Sequence, residues 1–128
     1  NSGHWSIDGA VTSQFENHVR AICGLPLGKT GNTAHALMFN LLGKMPEDKG
    51  PSHASSLDKI PGAHWHDYRK APRDGRKIGH VTVTADSRTE LEALASQLAE
   101  RLGVAAELDL ESVLKSGQNL PAVDDRTK

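Results

Sequence analysis

The sequence predicts an α+β fold, a small β-hairpin with one more strand packed against a helix. Three observations carry that reading. Two apolar stretches around a turn dipeptide, AHWHDYR (63–69) and KIGHVTVTA (77–85), read as the paired strands. A stripe of Leu91, Leu94, Leu98 and Leu102 opens on the capping box Ser87/Glu90 and reads as a helix over 88–102 that Gly103 stops. A short apolar run, ALMFNLL (36–42), ends at Gly43 and is short enough for a buried strand.

The remaining elements follow in order. Residues 1–11, NSGHWSIDGAV, are small and turn-forming and read as a loop with a short strand. Ser13 and Glu16 form a capping box for a helix over 13–23. Phe15, Val19, Ile22 and Cys23 fall on one apolar stripe of it, and Gly24 and Pro26 end it. Such a stripe needs a partner to cover it, and Cys23 reads as a small core residue rather than a nucleophile. Residues 44–56 hold two prolines and are polar, so an exposed loop is expected, with a helical turn over 56–60 after it. A short helix over 109–115 and a mobile end from Gln118 are expected beyond the long helix.

Composition excludes several functions. The chain has 128 residues, with 15 Lys and Arg against 16 Asp and Glu, a net charge of −1. A nucleic-acid binder is usually basic, and aromatic content of 4% leaves few platforms for bases. Hence no nucleic-acid partner is expected. No apolar run approaches membrane-spanning length, so no membrane partner is expected either. A single cysteine excludes an internal disulfide and fits a reducing compartment, so a cytoplasmic location is expected. The sequence opens at Asn1 without Met, in what reads as the interior of a folded unit, so a piece of a longer polypeptide is expected.

Against this neutral background one stretch stands out. KAPRDGRKIGH (70–80) places Lys70, Arg73, Arg76, Lys77 and His80 within eleven residues, with two glycines and a proline. Arg forks and a Lys point charge are the side chains that hold a phosphate monoester, and glycine lets the backbone approach it. A solvated hairpin tip would show the same residue types. His64 and His66 lie two apart and share a face if extended, a spacing open to zinc given further ligands. No Cys or acidic residue stands at a convincing distance in sequence, so packed histidines are expected.

Taken together, NSGHWSIDGAVTSQFENHVRAICGLPLG, ALMFNLLG and IPGAHWHDYRKAPRDGRKIGHVTV resemble the 5-(carboxyamino)imidazole ribonucleotide synthases of purine biosynthesis, an ATP-grasp family. The resemblance covers residues 1–43 and 60–85 in the family's order. It implies an ATP-dependent carbon–nitrogen ligase in which ATP activates bicarbonate and the amine of 5-aminoimidazole ribonucleotide captures the carboxyl carbon. It also implies two magnesium ions, a homodimer, and an arrangement in which residues 1–28 end an ATP-grasp domain. Residues 29–103 would then form a small C-terminal domain and 104–128 an extension. Magnesium ligands and the ATP site would lie upstream, leaving this piece without catalytic residues and inactive alone. By the same resemblance Lys70 and Arg76 reach the substrate phosphate, with Arg73 and Lys77 beside them. Asn1, Ser2 and His4 line a bicarbonate and phosphate pocket, and His80 supports its strand. Two residues depart from the family: Arg69 stands where glycine is usual, and Asp67 where a large apolar residue is usual. The alternatives are a stand-alone anion- or RNA-binding module and a purely structural dimerisation domain.

Overall fold

A computed structural model of the chain describes residues 1, 3–43 and 60–102. Ser2, the expected 44–56 loop, most of the 56–60 turn, Gly103 and the 104–128 extension lie outside the described residues. Three strands, β1 (His35–Leu42), β2 (Ala63–Asp67) and β3 (Lys77–Ala85), form one antiparallel sheet in the order β1-β3-β2. The predicted hairpin is therefore β2–β3, and the predicted apolar strand is its other neighbour. Helices α1 (Ser6–Gly9), α2 (Gln14–Ile22) and α3 (Arg88–Leu102) complete the described structure.

Strand alternation divides the sheet into two chemically different faces. Phe39, Leu41, Val81, Val83 and Ala85 line one face and pack on Leu91, Leu94, Ala95, Leu98 and Ala99 of α3. α3 opens as its sequence requires, with Ser87 Oγ accepting from the Glu90 N–H at 3.2 Å. The opposite face carries Asn40, His64, His66, His80 and Thr82. The N-terminal segment lies over it: α1 packs on β1 and β3, and a single bridge joins Ala10 to Asn32. Residues 1–11 thus differ from the expected loop and strand. Four residues close one helical turn, in which the Gly9 N–H donates to Trp5 O at 2.9 Å.

The alternation breaks once. Leu41 pairs with Gly79 but Leu42 pairs with Lys77, so Ile78 is the extra residue of a β-bulge. A bulge reverses which face each following side chain takes. Ile78 consequently joins the apolar cluster at 1% exposure, and Lys77 turns to the polar face, where it meets Asn1.

The helix α2 begins at the predicted cap, with the Glu16 N–H donating to Ser13 Oγ at 3.1 Å. Glu16 uses its own carboxylate on Arg20 instead of closing the reciprocal half of the box. No residue of α2 is buried, and Phe15, Val19 and Ile22 are exposed by 44%, 52% and 71%. Cys23, expected in a core, is exposed for the same reason: among the described residues no element covers this stripe.

Asp74-Gly75 makes the turn its sequence promises, but in the middle of a long connection rather than as a two-residue hairpin loop. The Arg76 N–H donates to Arg73 O at 3.0 Å, and Gly75 at φ 65° takes the position that demands a left-handed residue. The turn is fastened to the end of β1. Gly43 donates to Arg76 O at 2.8 Å and accepts from the Arg73 N–H at 3.0 Å.

Gly79 is the glycine that the sheet cannot replace. A Cβ there would stand 2.6 Å from the His66 carbonyl oxygen, a backbone atom that cannot move without shifting β2. Gly79→Ala should cost about 1–3 kcal/mol, as overpacking against a fixed neighbour does. Gly31→Ala, whose Cβ would meet only Val11 at 3.9 Å, should stay within about 0.5 kcal/mol of the parent. Urea midpoints of the two variants check the contrast.

Candidate functional site

The bulge, the cross-strand pairing and the N-terminal segment bring distant residues to one edge of the sheet. His66 and His80 are direct partners across β2 and β3, and their rings stack with centroids 4.3 Å apart and planes 17° from parallel. Tyr68 follows β2 and is held at both ends. Its N–H donates to Ile78 O at 2.9 Å, and its hydroxyl lies 2.8 Å from His4 Nδ1 and 2.7 Å from His80 Nδ1. Asn1 Nδ2 reaches the same hydroxyl at 3.4 Å and Asn40 Oδ1 at 2.5 Å. Lys77 Nζ donates to Asn1 Oδ1 at 2.7 Å, and Lys70 Nζ stands 5.1 Å from the centre of the Tyr68 ring.

Proton counting sets the polarity of this chain. A tyrosine hydroxyl has one proton, so it donates to one imidazole and accepts from the other. His80 Nε2 is buried without a partner. A stranded lone pair is more often tolerated in a protein interior than a stranded N–H. The proton of His80 therefore sits on Nδ1 and is donated to Tyr68, and Tyr68 donates to His4 Nδ1. The neutral His4 ring then carries its own proton on Nε2, as a donor.

Both rings are held neutral. Burial lowers the pKa of His80 from 6.5 to about 4, with the neighbouring His66 and His4 adding and Asp8 opposing. Burial also lowers the pKa of His4, reinforced by the nearby His66, Lys77 and Lys70. Asp8 of α1 is the carboxylate beneath the stack. It accepts from His66 Nε2 at 2.8 Å and lies 3.8 Å from His64 Nδ1. The histidines spaced two apart thus share a face and an acidic partner, which folding supplies from 56 residues or more upstream.

Asp8, His66 and His80 also place three potential ligand atoms within 4.8 Å of one another. Their geometry suits hydrogen bonding better than metal binding. Imidazole lone pairs lie in the ring plane, and two stacked planes do not converge on one ion. His66 Nε2 is already committed to Asp8.

The sequence-derived residues divide. Asn1, His4, Lys70 and Lys77 come together around Tyr68. Arg76 turns one guanidinium nitrogen to Ala71 O at 3.1 Å, bracing the 68–76 connection, and Arg73 lies exposed on its turn. Ser2 lies outside the described residues. Lys70, Arg73, Arg76 and Lys77 have no carboxylate within ion-pair distance among the described residues. Sequence reasoning missed Tyr68, Asp8 and Asn40. It singled out His66 with His64 from the strand alternation, as packed histidines, but nothing local marks Asp8 or Asn40.

A small antiparallel α+β domain whose one polar sheet face meets an N-terminal segment and a basic connection is the class this fold and site define. Residues 36–94 match the family described as "Phosphoribosylaminoimidazole carboxylase C-terminal domain". A curated relative named N5-carboxyaminoimidazole ribonucleotide synthase, from Vibrio cholerae, is 48% identical over 118 residues. That match covers 92% of this chain and 30% of the relative, so the chain spans about a third of the relative's length or less. The crystal structure of N5-carboxyaminoimidazole ribonucleotide synthetase from Thermus thermophilus is similar at a TM-score of 0.72 and 44% identity, covering 84% of this chain and 28% of that one. A synthase from Aspergillus clavatus, solved with ADP and 5-aminoimidazole ribonucleotide, is similar at 0.69 and 37%, covering 80% and 28%.

The depressed pKa of His80 has a thermodynamic consequence. Between pH 6.5 and about 4 the unfolded chain binds a proton at His80 that the folded chain does not. Stability should be complete above pH 6.5 and fall as the pH drops towards 4, by on the order of 3 kcal/mol in all. Urea unfolding as a function of pH should show this acid limb. It should shrink in His80→Asn; an unchanged limb would assign the loss to other groups.

Proposed function

We propose that this chain forms the substrate-phosphate end of an ATP-dependent carbon–nitrogen ligase that carboxylates the amine of 5-aminoimidazole ribonucleotide. The carrying observation is four cations in the 68–76 connection and at the first residue of β3, Lys70, Arg73, Arg76 and Lys77, none paired with a carboxylate among the described residues, two of them gathered with Asn1 and His4 around one tyrosine. Unpaired cations held by a fastened backbone are prepared for an external anion, and a phosphate monoester suits them. The relatives' names supply the reaction, and the Aspergillus clavatus complex is of a protein that binds ADP and 5-aminoimidazole ribonucleotide.

In this reading Lys70 and Lys77 carry the charge that holds the ribonucleotide phosphate. Arg73 and Arg76 add guanidinium donors, Arg76 with one nitrogen already fixing its position. Asn1, Ser2 and His4 line the neighbouring pocket for bicarbonate and for the phosphate released. A neutral His4 offers an N–H without adding charge.

ATP phosphorylates bicarbonate in such a ligase, and the amine takes the carboxyl carbon, giving the carbamate, ADP and phosphate. The described residues do not fit an ATP or magnesium site. Asp8 is occupied by His66 and His64, and the one group of potential metal ligands among the described residues, Asp8, His66 and His80, holds no second carboxylate. We therefore place the nucleotide and its two magnesium ions on other residues of the full polypeptide. A homodimer and a cytoplasmic location complete the proposal, on the family resemblance.

Steady-state kinetics of the full polypeptide, with each substrate varied in turn, tests this reading. Lys70→Ala and Lys77→Ala should each raise KM for the ribonucleotide by roughly 10- to 150-fold, the value of one charge-assisted contact. KM for ATP should move far less. Equal effects on both substrates, or none on either, would remove this connection from phosphate binding.

A further inference from the structure

Arg69 is the only non-glycine residue at positive φ among the described residues, at 53°. It stands at a joint. Tyr68, immediately before it, is fixed by its N–H on Ile78 and by its hydroxyl on His4 and His80. Lys70, immediately after it, lies over the Tyr68 ring. The backbone angle at Arg69 therefore decides where Lys70 goes. An L-residue with a long side chain does not rest in the left-handed region unaided. Here one aid is visible: the Arg69 N–H donates to Asp67 Oδ1 at 2.7 Å, the side-chain-to-backbone bond of an Asx turn, which fixes the 68–69 peptide plane against which that angle is set.

We infer that Asp67 is a positioning residue, whose carboxylate fixes the 68–69 peptide plane from which the left-handed Arg69 lays Lys70 across Tyr68. The inference rests on the reading of Lys70 as a phosphate ligand. It also joins two residues that depart from the family pattern. By the family resemblance glycine is usual at position 69, whereas the present chain carries arginine there and, two residues earlier, an acceptor for its N–H. Charge alone argues the other way, because a carboxylate beside an anion site repels the anion. Losing that charge would improve phosphate binding, whereas losing the lock would weaken it. The two roles have opposite signs.

The test uses the full polypeptide and two readouts, ribonucleotide KM against kcat and hydrogen exchange at the Arg69 amide. Asp67→Ala should raise the ribonucleotide KM roughly fivefold, the population lost when an unsupported residue leaves the left-handed region, with kcat little changed. Exchange at Arg69 should accelerate. Asp67→Asn keeps the acceptor and should restore both readouts. Asp67→Glu keeps the charge but displaces the oxygen, and should behave like Asp67→Ala. Adding Arg69→Gly to Asp67→Ala should recover the KM, because glycine takes this conformation unaided. The inference is overturned if Asp67→Ala lowers the KM or leaves it unchanged while Lys70→Ala raises it, or if Arg69→Gly fails to rescue. If Lys70→Ala itself has no effect, the phosphate reading fails, and this inference with it.

Discussion

The hydroxyl of Tyr68 has one proton to give and two imidazole nitrogens within reach. That inequality organises the edge of the sheet where the basic connection starts. It requires one histidine to donate, and the burial of His80 selects which one. The connection is complete only when three pieces are in place: the His66–His80 pair across two strands, Tyr68 at the end of β2, and the N-terminal segment carrying Asn1 and His4. None of these is close to another in sequence except Tyr68 and His66. Folding of the sheet and docking of the N-terminal segment are therefore prerequisites for one another's polar contacts. Asp8 contributes from below, because a carboxylate under the outer ring gives the stack an anchor without charging the buried ring.

The single bulge has a consequence larger than its size. Without it, Lys77 would project towards α3 and Ile78 towards the polar face. With it, the core gains an isoleucine at its end and the polar face gains a cation beside Asn1. One extra residue thus satisfies two constraints, apolar burial and charge placement, that strict alternation sets against each other. Gly79 stands next to the bulge, where the backbones of β2 and β3 approach too closely for any side chain. The glycines of the basic stretch divide along these lines. Gly79 permits close packing between strands, while Gly75 permits the turn that carries the arginines. Neither is needed simply to leave room for an anion.

Much of this was legible in the sequence, for reasons that show where such reading stops. The long helix declared itself through a cap and a leucine stripe, both local signals. The three strands were visible as short runs bounded by turn residues, and the pairing of two of them followed from one turn dipeptide, while the place of β1 beside β3 did not. The N-terminal turn of helix was not legible, because four residues are too few for a period to register. The bulge was not legible either, since it arises from pairing with a strand 35 residues or more away. This is why Arg76 and Lys77 could not be ranked from their spacing. The neighbouring residues of a motif point to opposite sides of a strand, and only the register says which side faces the N-terminal segment. Asp8 illustrates the same limit. Its partnership with His66 spans 58 positions, and no local pattern anticipates it.

The electrostatics of the chain follow the same division between local and global. Overall charge is near zero, which tells against a broad surface for polyanions, yet it allows a concentrated positive patch if the acidic residues are kept elsewhere. Glu16 is bound to Arg20 on α2, and Glu92 to Arg88 on α3. Asp8 is enclosed beneath the histidines, and Asp67 turns its carboxylate to a backbone N–H. These four carboxylates are thus occupied by structural bonds, whereas Asp74 lies exposed on the turn itself, and Lys70, Arg73, Arg76 and Lys77 have no ion-pair partner among the described residues. Under the proposed function, a patch arranged in this way would favour a small, highly charged anion over an extended one. Its field is supplied by a few cations at short range and is cancelled at longer range by the acidic groups of the same chain.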